Sequence, residues 1–175
     1  YVYSGTFTMS GGTISDNTAT YYGGGVYVRS GSFTMLDGTI SGNSANSGGG
    51  GVNVNSGTFS MSGGTISGNT ATSHGGGVNI ASGGKMSFSG KPVFDDNGIY
   101  TTDALATSLE LTDHLNTDAV IFIEGSAQPM QMRRDVVVVD YAEATDTDAA
   151  AFKSLDGNLE GKVSNGSIVW HTDAP

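Results

Sequence analysis

Few residues in this 175-residue chain are of a type that does chemistry, and they are scattered. Between residues 1 and 94 the only carboxylates are Asp16 and Asp37, and the only fixed cations are Arg29, Lys85 and Lys91. A calcium-dependent eliminase acting on uronate polymers needs several carboxylates around the ion and a Lys or Arg to take a proton; a glycoside hydrolase needs a carboxylate pair across the scissile bond. Two separated aspartates supply neither. Asp16 also falls where Gly42 and Gly68 fall in later copies of the same motif, which marks it as a turn residue. His74, His114 and His171 stand far apart with no second His or Cys at ligand spacing, so zinc is not expected. Asp95-Asp96-Asn97 reads as a solvated turn, short of the oxygen ligands a hard cation takes. The glycine-rich run 63–80 has the look of a phosphate or calcium loop, but calcium β-rolls carry an aspartate column at a period of about nine residues, and this run carries none. The expectation is no catalytic residue, no metal and no cofactor, with the acidic C-terminal part as the one place that could hold a carboxylate pair.

What must position any site is a repeat of 26 residues. Gly5, Gly31, Gly57 and Gly83 keep that spacing, as do Ala19, Ala45 and Ala71, and Val26, Val52 and Val78. Within each unit the apolar residues alternate with polar ones, which is the period of a strand. Each run is short and bounded by Gly, Asn or Ser, residues that permit tight corners. Three short strands and three corners per unit predict a closed coil, because a hairpin series would not hold identical residues at a constant offset. The fold class expected is all-β: a parallel β-helix, a solenoid of 26-residue coils with three short strands each.

Coils stacked at about 4.8 Å put like on like. Phe7, Phe33 and Phe59 form one core column, Met9, Met35 and Met61 a second, Ile14, Ile40 and Ile66 a third, and Val2, Val28, Val54 and Ile80 a fourth. Each buried side chain contributes roughly 1.5–3 kcal/mol, enough to hold a glycine-rich chain together. Asn17, Asn43 and Asn69 align at one corner, where amides that both donate and accept can bond along the axis as a structural ladder, or serve a ligand. In the fourth unit Gly84 adds a residue, Val93 is expected to replace Ile, and the Asn position divides between Asp96 and Asn97.

Composition shifts at the same place. Residues 1–94 hold 23 of the 28 glycines, whereas 95–175 hold 15 of the 17 acidic residues. The expected division is regular coils over 1–98, then degenerate coils and a C-terminal cap over 99–175 of the same domain. In that second part strands are expected at 108–111, 119–124 and 135–141. A short helix is expected over 145–155, with Thr145 or Asp146 as N-cap, Asp148 in its first turn and Phe152 as apolar anchor. A hairpin is expected from 159–163 to 167–171 around Asn165-Gly166. Net charge is −10 with only seven Lys and Arg, so neither nucleic acid nor an anionic membrane surface is an expected partner. No apolar run is long enough to insert in a membrane. Val2-Tyr3-Ser4-Gly5 aligns with Val28-Arg29-Ser30-Gly31, so the chain begins in mid-repeat, and further β-helix coils are expected N-terminal to it.

Ile-Ser-Gly-Asn-Thr-Ala at 66–71 followed by Gly-Gly-Gly-Val at 75–78, with variant copies from 40 and 14, resembles the paired motifs of polymorphic outer-membrane protein repeats. It is also similar to the repeat-rich, adhesin-like surface proteins of gut Gram-positive bacteria. The likeness covers about 1–98, and the tail, with 136–141, Phe152 and 166–170, is similar to the closing segment of the Gram-positive proteins. The resemblance implies a right-handed parallel β-helix, an extracellular or cell-surface location and a role in adhesion or display. It carries over no catalytic residue. Pectate lyases and polygalacturonase-like hydrolases are similar in fold and supply the alternative, a polysaccharide-active β-helix enzyme, which a loop-lined cleft with convergent carboxylates would favour.

The outward residues are what remain for function. The columns containing Thr65 and Ser67 form a hydroxyl face that could match a repeating glycan, or could be ordinary solvent-facing strand residues. Tyr21, Tyr22 and Tyr27 gather at the first coil and its corner, as platforms for sugar or protein or as packing for a preceding coil. His74 occupies the variable corner of the third coil. The expected function is a non-catalytic module for adhesion, ligand binding or structural display, with a host or microbial surface glycan or protein as partner and the candidate surface Tyr21, Tyr22, Tyr27, Thr65, Ser67 and His74.

Overall fold

The computed structural model describes residues 1–102, 108–126, 137–139, 145–154, 160–164 and 167–171. Its strands lie parallel and stack in register as a β-solenoid. Phe7 pairs with Phe33 and Phe33 with Phe59, and Ile14 with Ile40 and Ile40 with Ile66, so the 26-residue period of the sequence is the offset of the ladder. Three sheets run along the solenoid. One is bent: Thr6–Ser15 and Ser32–Ser41 each run through a glycine-containing irregularity, and in the third coil the two limbs separate as Thr58–Met61 and Thr65–Ser67. The second is a two-residue corner sheet of Thr18–Ala19, Ser44–Ala45 and Thr70–Ala71. The third begins with Val26–Val28, Val52–Val54 and Val78–Ile80. The Phe–Met and Ile segments, expected as separate strands, thus share one bent sheet, and the third strand of each coil is the short corner pair.

Alternation does the work of burial. Phe33, Met35, Ile40, Val54, Phe59, Met61, Ile66 and Ile80 are all fully enclosed, and Phe33 and Phe59 stack with centroids 4.7 Å apart. Val28 closes its column against Val54. Met9 is buried and Ile14 half-buried. Phe7 departs from its column: its ring stacks on Phe33 at 5.1 Å with one face and stays 37 % exposed.

The Gly-Gly-Gly corners serve two separate needs. Gly23, Gly49 and Gly75 take φ of 67°, 66° and 65°, the left-handed region in which a Cβ is strained. The second and third glycines lie against neighbouring coils: a Cβ on Gly25 would come within 2.8 Å of the Gly51 carbonyl and 3.1 Å of the Asn43 amide.

The fourth coil differs from the expectation in register. Met86 pairs with Phe59 and Phe88 with Met61, but Val93 pairs with Thr65 and Phe94 with Ile66, so Phe94 enters the isoleucine column in place of Val93. Gly84 and the bend at Gly90 each add a residue, and Gly90 accommodates its bend with φ of 65°. Asp96 then takes the left-handed corner position of Asp16, with φ of 52° against 58°. From Asn97 the chain reaches Ile99–Thr101 at once, omitting the corner loop of the earlier coils, and pairs Ile99 with Val78. Thr101 meets Ile80 in the core column and satisfies its hydroxyl on Ser108 at 2.9 Å.

Beyond this, Leu109–Leu115 extends the bent sheet, and Ile121–Ser126 and Phe152–Ser154 extend the third sheet in parallel. Glu160–Ser164 and Ser167–His171 then pair antiparallel, and Val137–Val139 joins the edge. The helix is shorter than expected, Asp146–Ala150 with N-cap Thr145, and Phe152 opens a strand and meets Phe88 edge-on at 5.9 Å. Most of 135–141, together with Leu155, Leu159 and the Asn165-Gly166 turn, lies outside the described residues.

Candidate ligand-binding groove

Two asparagine columns run along this solenoid, and they differ in how completely their amides are used. At the corner after the bent sheet, Asn17 Nδ2 donates to Asn43 Oδ1 at 2.9 Å, Asn43 Nδ2 to Asn69 Oδ1 at 2.9 Å, and Asn69 Nδ2 to Asn97 Oδ1 at 2.9 Å. The backbone N–H groups of Asn17, Asn43 and Asn69 donate to the same oxygens, and the spare amide hydrogens reach carbonyls such as Ile14 and Ile40. Asn97 completes the series, which settles the divided position in its favour. Every amide of the buried rungs is engaged, so nothing is left over for a ligand.

The second column lies on the outer side of the third sheet: Tyr27, Asn53, Asn79 and Tyr100, in register. Alternation alone makes these residues outward-facing. In the structure Asn53 is only 2 % and Asn79 only 6 % exposed. The cover is the corner loop, whose rows bridge Tyr22 to Gly48 and Gly48 to His74 over that face. Asn79 Nδ2 donates to Asn53 Oδ1 at 2.7 Å. Among the described residues Asn53 Nδ2 and Asn79 Oδ1 have no hydrogen-bond partner, because the next rungs on either side are tyrosines. An unpaired buried amide group costs on the order of 1–3 kcal/mol, which a ligand or water with suitable polar atoms recovers.

These amides line a groove of about 490 Å³. Tyr22 and Tyr27 stand at its N-terminal end, and His74 and Tyr100 at the other. The imidazole of His74 and the ring of Tyr100 stack with centroids 4.1 Å apart and planes 11° from parallel. Tyr100 can reach His74 because the fourth coil has dropped its corner loop. Tyr27 is braced by Tyr1 at 5.1 Å. Between Tyr22 and His74 the row holds Gly48, buried and close-packed: a Cβ there would lie 3.1 Å from Asn79 Cγ and 3.3 Å from the His74 carbonyl. No Lys, Arg, Asp or Glu is among the described residues lining the groove. Its walls can stack on an apolar ring face and its floor can donate and accept, without a charge.

Of the surface residues singled out from sequence, Tyr22, Tyr27 and His74 meet here. Tyr21, strongly exposed, lines an adjoining recess with Tyr1 and Asn17. Thr65 and Ser67 lie on the bent sheet and do not join the groove. The hydroxyl rows partly satisfy one another along the axis, Thr58 to Ser32 at 3.0 Å and Ser87 to Ser60 at 2.8 Å. Asn53, Asn79, Gly48 and Tyr100 escaped sequence reasoning; the signal that could have found them is that their columns break the repeat, Tyr22–Gly48–His74 and Tyr27–Asn53–Asn79–Tyr100.

Two carboxylates elsewhere, Asp37 and Asp148, have structural partners. Asp37 accepts from the Gly38 N–H at 2.7 Å, as a turn residue does. Asp148 is enclosed; burial opposes its charge, but hydrogen bonds from Leu115 N–H, the Thr145 hydroxyl, the His114 ring and Thr145 N–H outweigh that and hold its carboxyl below the ordinary range. No cluster of three His, Cys, Asp or Glu suited to a metal occurs among the described residues, and none of their helices is long and apolar enough to cross a membrane.

Comparison with known proteins agrees with the stacked parallel coils. The family described as right handed beta helix region matches residues 4–152, and the chain belongs to that family. Such domains occur both in binding modules and in polysaccharide-active enzymes. No curated protein and no solved structure matches the chain.

Proposed function

We propose that this right-handed β-helix is a non-catalytic binding module of a secreted or surface-anchored bacterial protein, serving adhesion or display, and that the groove between the corner loops and the third sheet is its ligand site. Its partner is a glycan or glycosylated protein on a host or microbial surface. The observation that carries this reading is the half-used Asn53–Asn79 pair, buried under aromatic walls: a polar floor left open where the parallel Asn17–Asn97 ladder is closed. The smooth coils support it as well, since the described residues lining the groove include no convergent carboxylates with which to cleave a glycosidic bond. The regular stack would act as a stiff spacer that holds the groove away from its anchor.

A glycan-array screen of the chain, with every hit then incubated for cleavage, tests the reading. Binding without turnover is expected, and it should be lost in the Tyr22→Ala, Tyr27→Ala double variant. Turnover of any hit would replace the module with the enzyme reading. Undiminished binding by the double variant would move the site elsewhere.

A further inference from the structure

We draw no further inference here: the strongest candidate, the side-chain cluster in which the enclosed Asp148 meets the His114 ring at 2.9 Å between the strand Leu109–Leu115 and the short helix, is the helix cap already described, and a pH-sensitive role for it would rest on the titration of its carboxyl alone.

Discussion

Asn43→Ala tests the corner ladder most directly. The Asn43 side chain accepts from Asn17 N–H at 3.1 Å and Asn17 Nδ2 at 2.9 Å, and donates to Ile14 O at 2.9 Å, Ser41 O at 3.1 Å and Asn69 Oδ1 at 2.9 Å. A net hydrogen bond contributes about 0.5–1.5 kcal/mol, and a buried group left without its partner costs about 1–3 kcal/mol. Water reaches the Asn17 end and relieves that loss, and Asn69 Oδ1 keeps the Asn43 N–H at 3.0 Å. The sum is a loss of about 3–5 kcal/mol. Asn17→Ala removes only two side-chain donations, to Ser15 O and to Asn43, at an exposed position, and should cost about 1 kcal/mol. For a chain of this size each kcal/mol moves the melting midpoint by about 2–4 °C, so the midpoints of the two variants should differ by roughly 4–16 °C in thermal unfolding followed by far-UV circular dichroism. Asn43→Asp separates chemistry from volume: its carboxylate faces acceptors at Ile14, Ser41 and Asn69, so its defect should ease as pH falls and the carboxyl regains a proton. Equal small losses for Asn43→Ala and Asn17→Ala, or an Asn43→Asp defect independent of pH, would refute the ladder as a source of stability.

Ile40→Asp should abolish cooperative folding, because an unpaired charge would enter a column closed by Ile14 and Ile66; an unchanged melt would refute the stacking register. Gly23→Ala should cost several times more than an ordinary surface substitution, since φ is 67° and the new Cβ would sit 2.6 Å from the Val26 carbonyl; a midpoint within a degree or so of the parent would contradict the corner geometry. The Asp148 carboxyl titrates lower in the folded chain than in the unfolded one, so its contribution is present at neutral pH, above the unfolded value, and is lost as pH falls through the folded value. Asp148→Asn should therefore flatten the acid limb of a stability profile, and an unchanged limb would count against the capping role. Lys91 and Asp118 pair at 3.0 Å but both are well exposed, so Asp118→Ala should change stability by no more than about 0.5 kcal/mol in urea unfolding.

The scaffold was legible in the sequence because every demand of the coil recurs. A core position has the same neighbours above and below, so Phe33, Met35 and Ile40 are repeated at the ladder offset, and so are the glycines that the corners require. Legibility falls where the offset changes. Val93 was the apparent successor of Ile66, yet Phe94 fills that column, since two extra residues enter the fourth coil at different points and sequence spacing registers only their sum. The short helix is a second case. Thr145 and Asp148 mark its N-cap by type, but its end at Ala150 is set by Phe152 joining the third sheet, a long-range pairing that no local signal carries.

The groove was half legible for a related reason. Period-two alternation assigns Asn53 and Asn79 outward and so to solvent; it cannot say that a loop from the same coil folds back over them. That loop is long in three coils and absent from the fourth, and the difference lets Tyr100 close the end of the groove against His74. A stacked coil must be uniform wherever it packs on the next, so a column that changes residue from coil to coil has been released from packing. The column at Tyr22, Gly48 and His74 is released in this sense, and the column at Tyr27, Asn53, Asn79 and Tyr100 begins and ends with aromatic rings where an amide ladder would otherwise run on. Restoring the ladder should close the groove: Tyr27→Asn together with Tyr100→Asn would offer partners to Asn53 Nδ2 and Asn79 Oδ1, raising stability while abolishing sugar binding. A double variant that gains stability and still shifts its Asn53 and Asn79 amide signals on NMR titration with a glycan would show that the unpaired amides are not what the ligand meets.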